Sequence, residues 1–365
     1  MKVFSDKNVL ESATERINYL FDEFEDIYVM VSGGKDSTVV FNLTLDIARQ
    51  RNRRIGMFFL DQEFEYQGTI DMIRYWASNP DVDVFWMQAP MRMSNSSSEL
   101  EPWVKIWSDE RKGHWMRDFE PGAFHHLLCK SDRFAENLNS FLDWRQKETG
   151  RRTAGIGGLR AEESFNRFRA ISSGICYKNI TWGRRNAQTV CFYPIYDWTF
   201  RDVWKYINDN NLRYNHIYDC QFRAGYNPSD MRVSNMIHEF TTMHTEHFQE
   251  FEPKTYERLV DAIEGIATTA RFAEDFIPKK LPDAFGSWKE YRDYLVDTIV
   301  APEYREGFKK LWADQNGSEE VYRIHCIECI KADVSHSVNE ARTKIVVDNM
   351  KRAEKNKRKA SRLTE

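Results

Sequence analysis

The spacing of hydrophobic and polar positions predicts an alternation of strands and helices over the N-terminal part of the chain. Apolar residues at helical spacing indicate a first helix from about Asn8 to Glu25. The short, continuous apolar run Ile27–Val31 indicates a strand buried on both faces of a parallel sheet. The same criteria place strands at 55–60, 82–87, 153–156 and 190–193, and helices at 66–77, 131–147 and 199–208, with Ser131 and Thr199 as N-caps.

This alternation predicts a parallel α/β sheet with right-handed crossovers. Residues 90–122 interrupt it without a clean period, and we expect an insertion or long functional loop there. From about Ser234 the pattern is helical only, with helices expected at 256–266, 288–299, 303–312, 319–330 and 334–357. We therefore expect two domains, residues 1–230 carrying the sheet and residues 231–365 forming a helical domain.

Composition and charge exclude several classes of protein. Hydrophobic residues make up 41% of the 365 positions, enough for a sizeable core, and the net charge of −4 excludes a general polyanion binder. The tail 351–365 nevertheless carries seven basic and two acidic residues, so it is either a solvated helix end or a contact for nucleic acid. No apolar run is long enough to span a membrane and the N-terminus does not resemble a signal peptide, so we expect a cytoplasmic protein.

The turn after the first strand is the strongest candidate site. Ser32-Gly33-Gly34-Lys35-Asp36-Ser37 lies between a buried strand and a helix, where glycines let backbone N–H groups approach an anion and the helix dipole favours negative charge. Lys35 offers a mobile cation for a phosphate, Ser32 and Ser37 offer hydroxyls, and Asp36 offers a carboxylate for a phosphate-linked Mg²⁺. The spacing differs from a Walker A loop. A tight turn with a capping serine is the alternative.

Further candidates follow the ends of other predicted strands, which meet at one edge of the sheet. Gly157, Gly158 and Arg160 follow the fourth strand, and a guanidinium suits bidentate contact with phosphate or sulfate. Asp61 follows the second strand and is expected near the sugar and base of a nucleotide, with a helix N-cap as the alternative. Arg184 and Arg185 add two cations, although a solvated loop explains them equally well.

A Cys-x-x-Cys pair in the C-terminal part has three interpretations. Cys326 and Cys329 have a spacing that lets two sulfurs share a Zn²⁺ ion, with His325 or His336 as a further ligand. On a helix the two cysteines would share one face, so buried core thiols or a redox pair are the alternatives. Six cysteines in a chain of this length do not form a disulfide framework.

Three ordered motifs resemble the phosphoadenosine-phosphosulfate (PAPS) reductase family of the PP-loop, adenine-nucleotide α-hydrolase-like superfamily. They are the Ser32–Ser37 hexapeptide, the run Gly157–Ser164 with Arg167 beyond it, and Tyr193–Thr199 followed by Asp202-Val203-Trp204. The resemblance implies a doubly wound, mostly parallel Rossmann-like (PP-loop) sheet that binds ATP or PAPS, here joined to a C-terminal all-helical domain. It also implies that the loop after the first strand handles cleavage between the α- and β-phosphates.

The chain departs from this family in lacking the short C-terminal motif that carries a catalytic cysteine. Thiol-dependent PAPS reduction is therefore the activity that the sequence favours least, and cleavage of ATP to AMP and pyrophosphate, with adenylation or thiolation of an acceptor, is the activity it favours most. Residues 224–233 and 252–265 also resemble the narrower subgroup of immunoglobulin-binding regulator A proteins. That resemblance implies a phage or mobile-element setting, and a nucleotide-sensing regulator that acts with a ParB-like partner on DNA is the alternative function.

Overall fold

The three-dimensional structure is a computed structural model that describes residues 6–95, 103–172, 174–229, 231–237, 247–267, 280–313 and 317–330. These residues fall into two compact units. The first lies within 1–92 and 105–234, and the second lies within 93–104 and 235–365. The candidate site on the sheet belongs to the first unit.

Strands and helices alternate from Val9 to Met87, as the hydrophobic pattern predicts, and short additional strands follow before Arg223. In chain order the elements are α1 (Val9–Glu23), β1 (Asp26–Met30), α2 (Lys35–Gln50), β2 (Ile55–Leu60), α3 (Gln67–Ala77), β3 (Val82–Met87), β4 (Met91–Ser94), β5 (Trp103–Ile106), α4 (Phe134–Thr149), β6 (Thr153–Gly157), α5 (Phe165–Ser172), β7 (Gly183–Arg185), β8 (Val190–Phe192), α6 (Phe200–Asp209) and α7 (Ile217–Arg223). Short 3₁₀ helices occupy Asp109–His114 and Ala161–Glu163.

The central sheet has six strands in the order β3-β2-β1-β6-β8-β7. All neighbouring pairs are parallel except β7 and β8, which are antiparallel. The chain adds β2 and β3 on one side of β1, and then returns to add β6 and β8 on the other side. The order of strands therefore reverses between β1 and β6. This arrangement confirms the predicted doubly wound, mostly parallel fold.

Alternate residues of the central strands face two different layers of helices. Ile27 and Val29 of β1 join a buried cluster with apolar residues of α1, α2, α3 and α6. Tyr28, between them, points to the opposite face, where the ring of Phe141 from α4 packs edge-on against it at 5.0 Å. Phe141 also stacks on Phe58 of β2, with centroids 3.8 Å apart and planes 12° apart. Helices on both faces explain why the strands are apolar throughout.

Beyond residue 247 the regular elements of the second unit, among the described residues, are all helices. Its helices are α8 (Phe248–Phe251), α9 (Pro253–Ala262), α10 (Trp288–Thr298), α11 (Pro302–Trp312) and α12 (Glu319–Ile330). Apolar residues of α10, α11 and α12 form a common buried cluster. The helix predicted at 334–357 and the basic tail lie outside the described residues. Within the described part of the chain, none of the helices is both long enough and apolar enough to cross a membrane.

The structure corrects several predicted elements. Helix α4 begins at Phe134 with Arg133 as its N-cap residue, so the prediction of Ser131 as N-cap is wrong; the Ser131 hydroxyl instead accepts from the Arg133 N–H at 3.2 Å in a local turn. The interval 90–122 is not purely a loop, because β4 and β5 pair within it as a two-stranded sheet. The segment with Arg184 and Arg185 is the edge strand β7 rather than a solvated loop.

The buried carboxylate of Asp61, which follows β2, is hydrogen-bonded to Arg117 of the predicted insertion 90–122. Asp61 is fully buried, and its oxygens accept from Trp86 Nε1 at 2.9 Å, from Gln88 Nε2 at 3.1 Å and from the Arg117 guanidinium. Arg117 also donates to the Glu63 carbonyl at 2.7 Å. Helix α3 begins later, with Tyr66 as its N-cap, so the alternative of Asp61 as a helix N-cap is wrong.

Two more buried carboxyl groups, Glu63 and Glu65, lie in the same network. Burial raises the pKa of Glu63 to about 7, although its hydrogen bond from the Trp107 N–H at 2.7 Å opposes the shift. Burial, with repulsion from Asp61, raises the pKa of Glu65 to about 8. The folded protein therefore holds protons on these groups at pH values where the unfolded chain has released them.

We expect the contribution of Glu65 to the stability of the protein to fall as the pH rises from about 4.5 to about 8, the interval between its ordinary and its raised pKa. In Glu65→Gln this group no longer titrates, so the free energy of unfolding should fall less steeply across that interval, by at most about 1.4 kcal/mol per pH unit. Urea unfolding at pH 5, 6.5 and 8 measures the slope. Glu148→Gln, on the exposed surface of α4, is the control; equal slopes in all three proteins would contradict the expectation.

Phe141→Ala should destabilise the first unit by about 3–5 kcal/mol, because it leaves a cavity among the aromatic rings of β1, β2 and α4. Phe222→Ala removes the same atoms from a side chain that is 64% exposed, so it should change stability by less than about 0.5 kcal/mol. Chemical denaturation of both variants beside the wild type measures the difference. Similar losses in the two variants would show that the α4 layer is not a packed part of the core.

Candidate active site

The candidate site lies where the strand order reverses. Met30, the last residue of β1, pairs in parallel with Gly157, the last residue of β6. The Ser32–Gly34 loop and the loop that follows Gly157 therefore leave the sheet side by side from its carboxyl edge. In open α/β sheets, ligands bind in the crevice at this kind of position because the connections on either side turn to opposite faces.

The loop after β1 turns sharply at Gly33, whose φ is +71°. A Cβ at this position would also lie 2.8 Å from Thr69 Cγ2 of α3, so both the dihedral and the space require glycine. Asn215, which is buried, donates through Nδ2 to Thr69 Oγ1 at 3.1 Å and to the Gly33 carbonyl at 3.4 Å. Thr69 of α3 and Asn215, in the segment before α7, therefore pack against the turn and hold its conformation.

Helix α2 begins at Lys35 and leaves several backbone donors for a ligand. The Lys35 N–H donates to the Tyr218 hydroxyl at 3.0 Å. The N–H groups of Gly33, Gly34, Asp36 and Ser37 make no hydrogen bond within the part of the chain that the structure describes. The positive end of the helix dipole lies at the same place, and such an arrangement of donors suits an anion. Anion binding at this turn stays a prediction.

Gly158 makes the second loop fit closely against this turn. A Cβ at Gly158 would lie 2.8 Å from the backbone carbon of Asp36 and 3.0 Å from the Ser37 nitrogen. Both neighbours are main-chain atoms of the first turn of α2, which cannot move aside as a flexible side chain would. The absence of a side chain at Gly158 therefore lets the two loops pack this closely without displacing the backbone of Asp36 and Ser37.

A buried ion cluster joins the two loops. Asp36 lies 3.1 Å from Lys35 Nζ through one carboxylate oxygen and accepts from Arg160 Nε through the other. Lys35 and Arg160 are only 5% and 3% exposed. Arg160 Nη1 also donates to Glu162 at 3.2 Å and to the Trp198 carbonyl at 3.4 Å. The cluster places two cations beside the turn at the start of α2, and Asp36 holds both of them.

Several predicted roles change with this geometry. Lys35 is buried, because the start of α2 places its stem in the interior and its Nζ 5.5 Å from the centroid of the Tyr218 ring; its role as a cation for a phosphate stays a prediction. The Ser37 hydroxyl donates to the Gly34 carbonyl at 2.9 Å, and the exposed Ser32 hydroxyl lies 3.4 Å from it. Asp61 is occupied by the buried network described above, so its carboxylate faces protein donors.

Tyr218 and Asn215 are the site residues that sequence reasoning did not assign. Burial raises the pKa of the Tyr218 hydroxyl, and the negative charge of Asp36 adds to the shift, so this hydroxyl is neutral where it meets Lys35. Both residues belong to the stretch Asn215-His216-Ile217-Tyr218, about 180 residues beyond the loop that they contact. The Asn-x-x-Tyr spacing was the available signal, but it did not indicate which loop these side chains would support.

Arg184 and Arg185 lie two strands away from β6, on the edge strand β7. Their strand register pairs Arg184 with Cys191 and Arg185 with Val190 of β8. Arg185 Nε donates to the Cys176 carbonyl at 3.1 Å. The two arginines are exposed, and the geometry does not include them in the cluster around Asp36.

Cys326 and Cys329 are buried in α12, and His336 lies outside the described residues. Burial raises the pKa of Cys326 to about 12 and also raises that of Cys329, which favours thiols over the thiolates that bind Zn²⁺. Both cysteines pack in the apolar cluster of α10–α12. Across the described residues, no group of three or more His, Cys, Asp or Glu side chains could hold a metal ion. This environment matches the alternative of core thiols.

Comparison with known proteins finds relatives that resemble this chain over more than half of its length. The Escherichia coli (strain K12) protein named "Uncharacterized protein YbdN" is 26% identical over 319 residues, covering 82% of this chain and 78% of that protein. Adenosine 5'-phosphosulfate reductase of Oceanobacillus iheyensis is 25% identical over 213 residues, covering 58% and 73%. A solved phosphoadenylyl-sulfate (PAPS) reductase from Candida auris, in a phosphate complex, has 18% identity and a TM-score of 0.35, covering 64% of this chain and 97% of that one.

Residues 26–225 match the phosphoadenosine phosphosulfate reductase domain. This stretch is more than half of the 365 residues and contains both loops of the candidate site. The chain belongs to the phosphoadenosine phosphosulfate reductase domain family.

Proposed function

We propose that the protein cleaves ATP between its α- and β-phosphates and transfers the adenylyl group to an acceptor. The observation that carries this proposal is the turn at the start of α2, where unbonded backbone N–H groups lie beside the buried cations of Lys35 and Arg160. Such an array binds and neutralises a polyphosphate without contributing a covalent group. Adenylylation requires positioning and charge neutralisation, which this array supplies, whereas sulfonucleotide reduction additionally requires a catalytic thiol.

In the proposed reaction, the acceptor nucleophile forms a bond to the α-phosphorus. The bond from that phosphorus to the bridging oxygen breaks, and the electron pair leaves with pyrophosphate. Negative charge therefore grows on the β-phosphate oxygens, which the N–H groups of Gly33, Gly34 and Ser37 would contact. Lys35 would exchange its Asp36 partner for a phosphate oxygen, while Arg160 keeps Asp36 in place. Water as the acceptor gives AMP and pyrophosphate.

Magnesium belongs in this scheme to the substrate, MgATP, and not to a site built by the protein. Asp36 is the carboxylate at the turn; one of its oxygens stays on Arg160, and the other becomes available only when Lys35 moves to the phosphate. The nearby hydroxyl of Ser37 is bonded to the Gly34 carbonyl. These donors do not fit a protein-held Mg²⁺, which takes an octahedral set of oxygens at about 2.0–2.1 Å.

We also propose that the protein belongs to the subgroup of immunoglobulin-binding regulator A proteins. Support comes from the resemblance of residues 224–233 and 252–265 to that subgroup. The similarity to YbdN covers 82% of the chain, more than the reductase domain alone. A ParB-like partner and a phage or mobile-element setting go with this assignment as proposals.

Wild-type protein with MgATP should release AMP and pyrophosphate, and Lys35→Ala should lower the rate by about 10²–10³, the usual effect of removing one preorganised charge donor. Chromatography of the nucleotide after incubation measures the products, and calorimetric titration with ATP and with PAPS measures binding. Lys205→Ala, on the exposed surface of α6, is the control and should keep the wild-type rate.

Three other results would count against the proposal. Equal AMP formation by the wild type and Lys35→Ala would place the chemistry elsewhere or in a contaminant. Tight ATP binding with the nucleotide recovered intact, whatever acceptor is added, would favour the nucleotide-sensing alternative. Failure of both ATP and PAPS to bind would refute the assignment of the site itself.

Gly158→Ala should weaken ATP binding by at least about tenfold, because its Cβ would press on the backbone of Asp36 and Ser37 and displace the donor groups. Gly174→Ala is the matched control, since a Cβ there meets nothing within 4 Å. Calorimetric titration of both variants gives the affinities, and thermal denaturation shows whether Gly158→Ala is folded. Wild-type affinity in a folded Gly158→Ala protein would exclude these amides from the binding site.

A further inference from the structure

The buried phenol of Tyr218 has a hydrogen-bond donor that the protein does not use. Its oxygen accepts from the Lys35 N–H at 3.0 Å, and the residue is only 3% exposed. Its own O–H donates to none of the residues that the structure describes. A buried phenol usually finds a partner for its hydroxyl, because a donor that is left unbonded away from water costs free energy. The unused O–H is therefore suited to a partner that enters from outside the protein.

This hydroxyl lies at the turn between β1 and α2. A Cβ on Gly34 would lie 3.2 Å from the Tyr218 oxygen and 3.6 Å from Ser32 Oγ, so both hydroxyls border the space that the absent side chain leaves. The backbone N–H groups that make no hydrogen bond among the described residues belong to the same turn. The Tyr218 O–H is therefore next to the donors that the proposed function assigns to a phosphate.

Contacts from two directions fix the orientation of the phenol. Trp204 of α6 packs edge-on against the Tyr218 ring, with centroids 5.2 Å apart and planes 88° apart. Asn215 ties the start of α7 to the turn, because its Oδ1 accepts from the Ile217 N–H at 3.1 Å and its Nδ2 donates to the Gly33 carbonyl at 3.4 Å. A hydroxyl held in this way is in place before a ligand binds, which reduces the entropy cost of the contact.

The surroundings of the hydroxyl favour donation to an anion. The Lys35 N–H belongs to the first residue of α2, where the helix dipole is positive, and a hydroxyl that accepts from such a group becomes a stronger donor. Burial raises the pKa of the Tyr218 phenol, and the negative charge of Asp36 adds to the shift, so the phenol keeps its proton at neutral pH. A neutral phenol can donate to a phosphate without repelling it.

We propose that the Tyr218 hydroxyl donates a hydrogen bond to a phosphate oxygen of the nucleotide in the turn, and so connects the Lys35 N–H to the ligand. This inference rests on the proposed function, which assigns a polyphosphate to the turn, and it adds a side-chain donor from α7 to the backbone donors. In the competing arrangement, the hydroxyl occupies the Lys35 N–H in place of a phosphate and must leave before one binds. The two arrangements predict opposite effects of removing the hydroxyl.

Tyr218→Phe removes the hydroxyl and keeps the ring. Calorimetric titration of the full-length protein should show that pyrophosphate and MgATP bind about 10–100-fold more weakly to this variant, the usual effect of losing a hydrogen bond to a charged group. The Lys35 N–H that the substitution exposes cannot replace the hydroxyl, because two successive hydrogen bonds of about 2.7–3.0 Å would place the phosphate oxygen roughly 5 Å from that nitrogen. Thermal denaturation shows whether the variant is folded.

Tyr214→Phe is the matched control. The Tyr214 hydroxyl donates to Asp219 at 2.9 Å, away from the turn, and its ring packs edge-on against the same Trp204 at 5.2 Å. This variant should bind pyrophosphate and MgATP as the wild type does. Tighter binding by Tyr218→Phe would show that the hydroxyl competes with the phosphate and would overturn the proposal. Unchanged binding, or equal losses in the two variants, would also overturn it.

A second measurement uses the unsubstituted protein, with tyrosine labelled with carbon-13 at Cζ and incorporated at position 218 alone. The Cζ signal of Tyr218 should shift when pyrophosphate is added, because its hydroxyl gains an acceptor, and an unchanged signal at saturation would refute the contact. Failure of the wild type to bind pyrophosphate and MgATP would overturn this inference together with the proposed function. Binding by the wild type without formation of AMP, with weaker binding by Tyr218→Phe, would count against the proposed cleavage alone and support the contact.

Discussion

The shared carboxylate of Asp36 is the interaction on which the site depends. It holds Lys35 within the turn after β1 and Arg160 in the loop after β6, and these loops lie on opposite sides of the point where the strand order reverses. Two buried cations without a counter-charge would repel each other and would pay a large desolvation cost. Asp36 offsets both effects, so the protein can keep positive charge at the sheet edge before any phosphate arrives.

The same cluster makes binding an exchange of partners rather than a simple attraction. A phosphate that enters the turn must compete with Asp36 for Lys35, while Arg160 remains bonded to Glu162 and the Trp198 carbonyl. The backbone N–H groups of the turn have no such competitor among the described residues. Affinity for a phosphate should therefore come mainly from these amides and the helix dipole, whereas Lys35 is suited to the charge that would develop during the proposed cleavage.

Local patterns in the sequence predicted the elements well, but contacts between distant residues needed the structure. The apolar runs of β1, β2 and β3 and the helices between them are strong periodic signals, and the Gly-rich turn was found from its place between a strand and a helix. No pattern could indicate that Arg160 bonds to a residue 124 positions away, or that Asn215 and Tyr218 support the loop at Gly33. The short strands β4, β5 and β7 escaped prediction because three or four residues are too few to establish a period of two.

The pairing of β7 also separates its arginines from the phosphate site that the sequence offers them. In a loop, Arg184 and Arg185 would be able to fold back over the sheet edge and reach Lys35. Antiparallel pairing with β8 instead places Arg185 opposite Val190. Val190 pairs in turn with Ala154, which lies three residues before the end of β6. Because strands rise by about 3.3 Å per residue, this register sets Arg185 roughly 10 Å back from the carboxyl edge where the nucleotide would bind. A guanidinium at this register lies away from the crevice at the carboxyl edge.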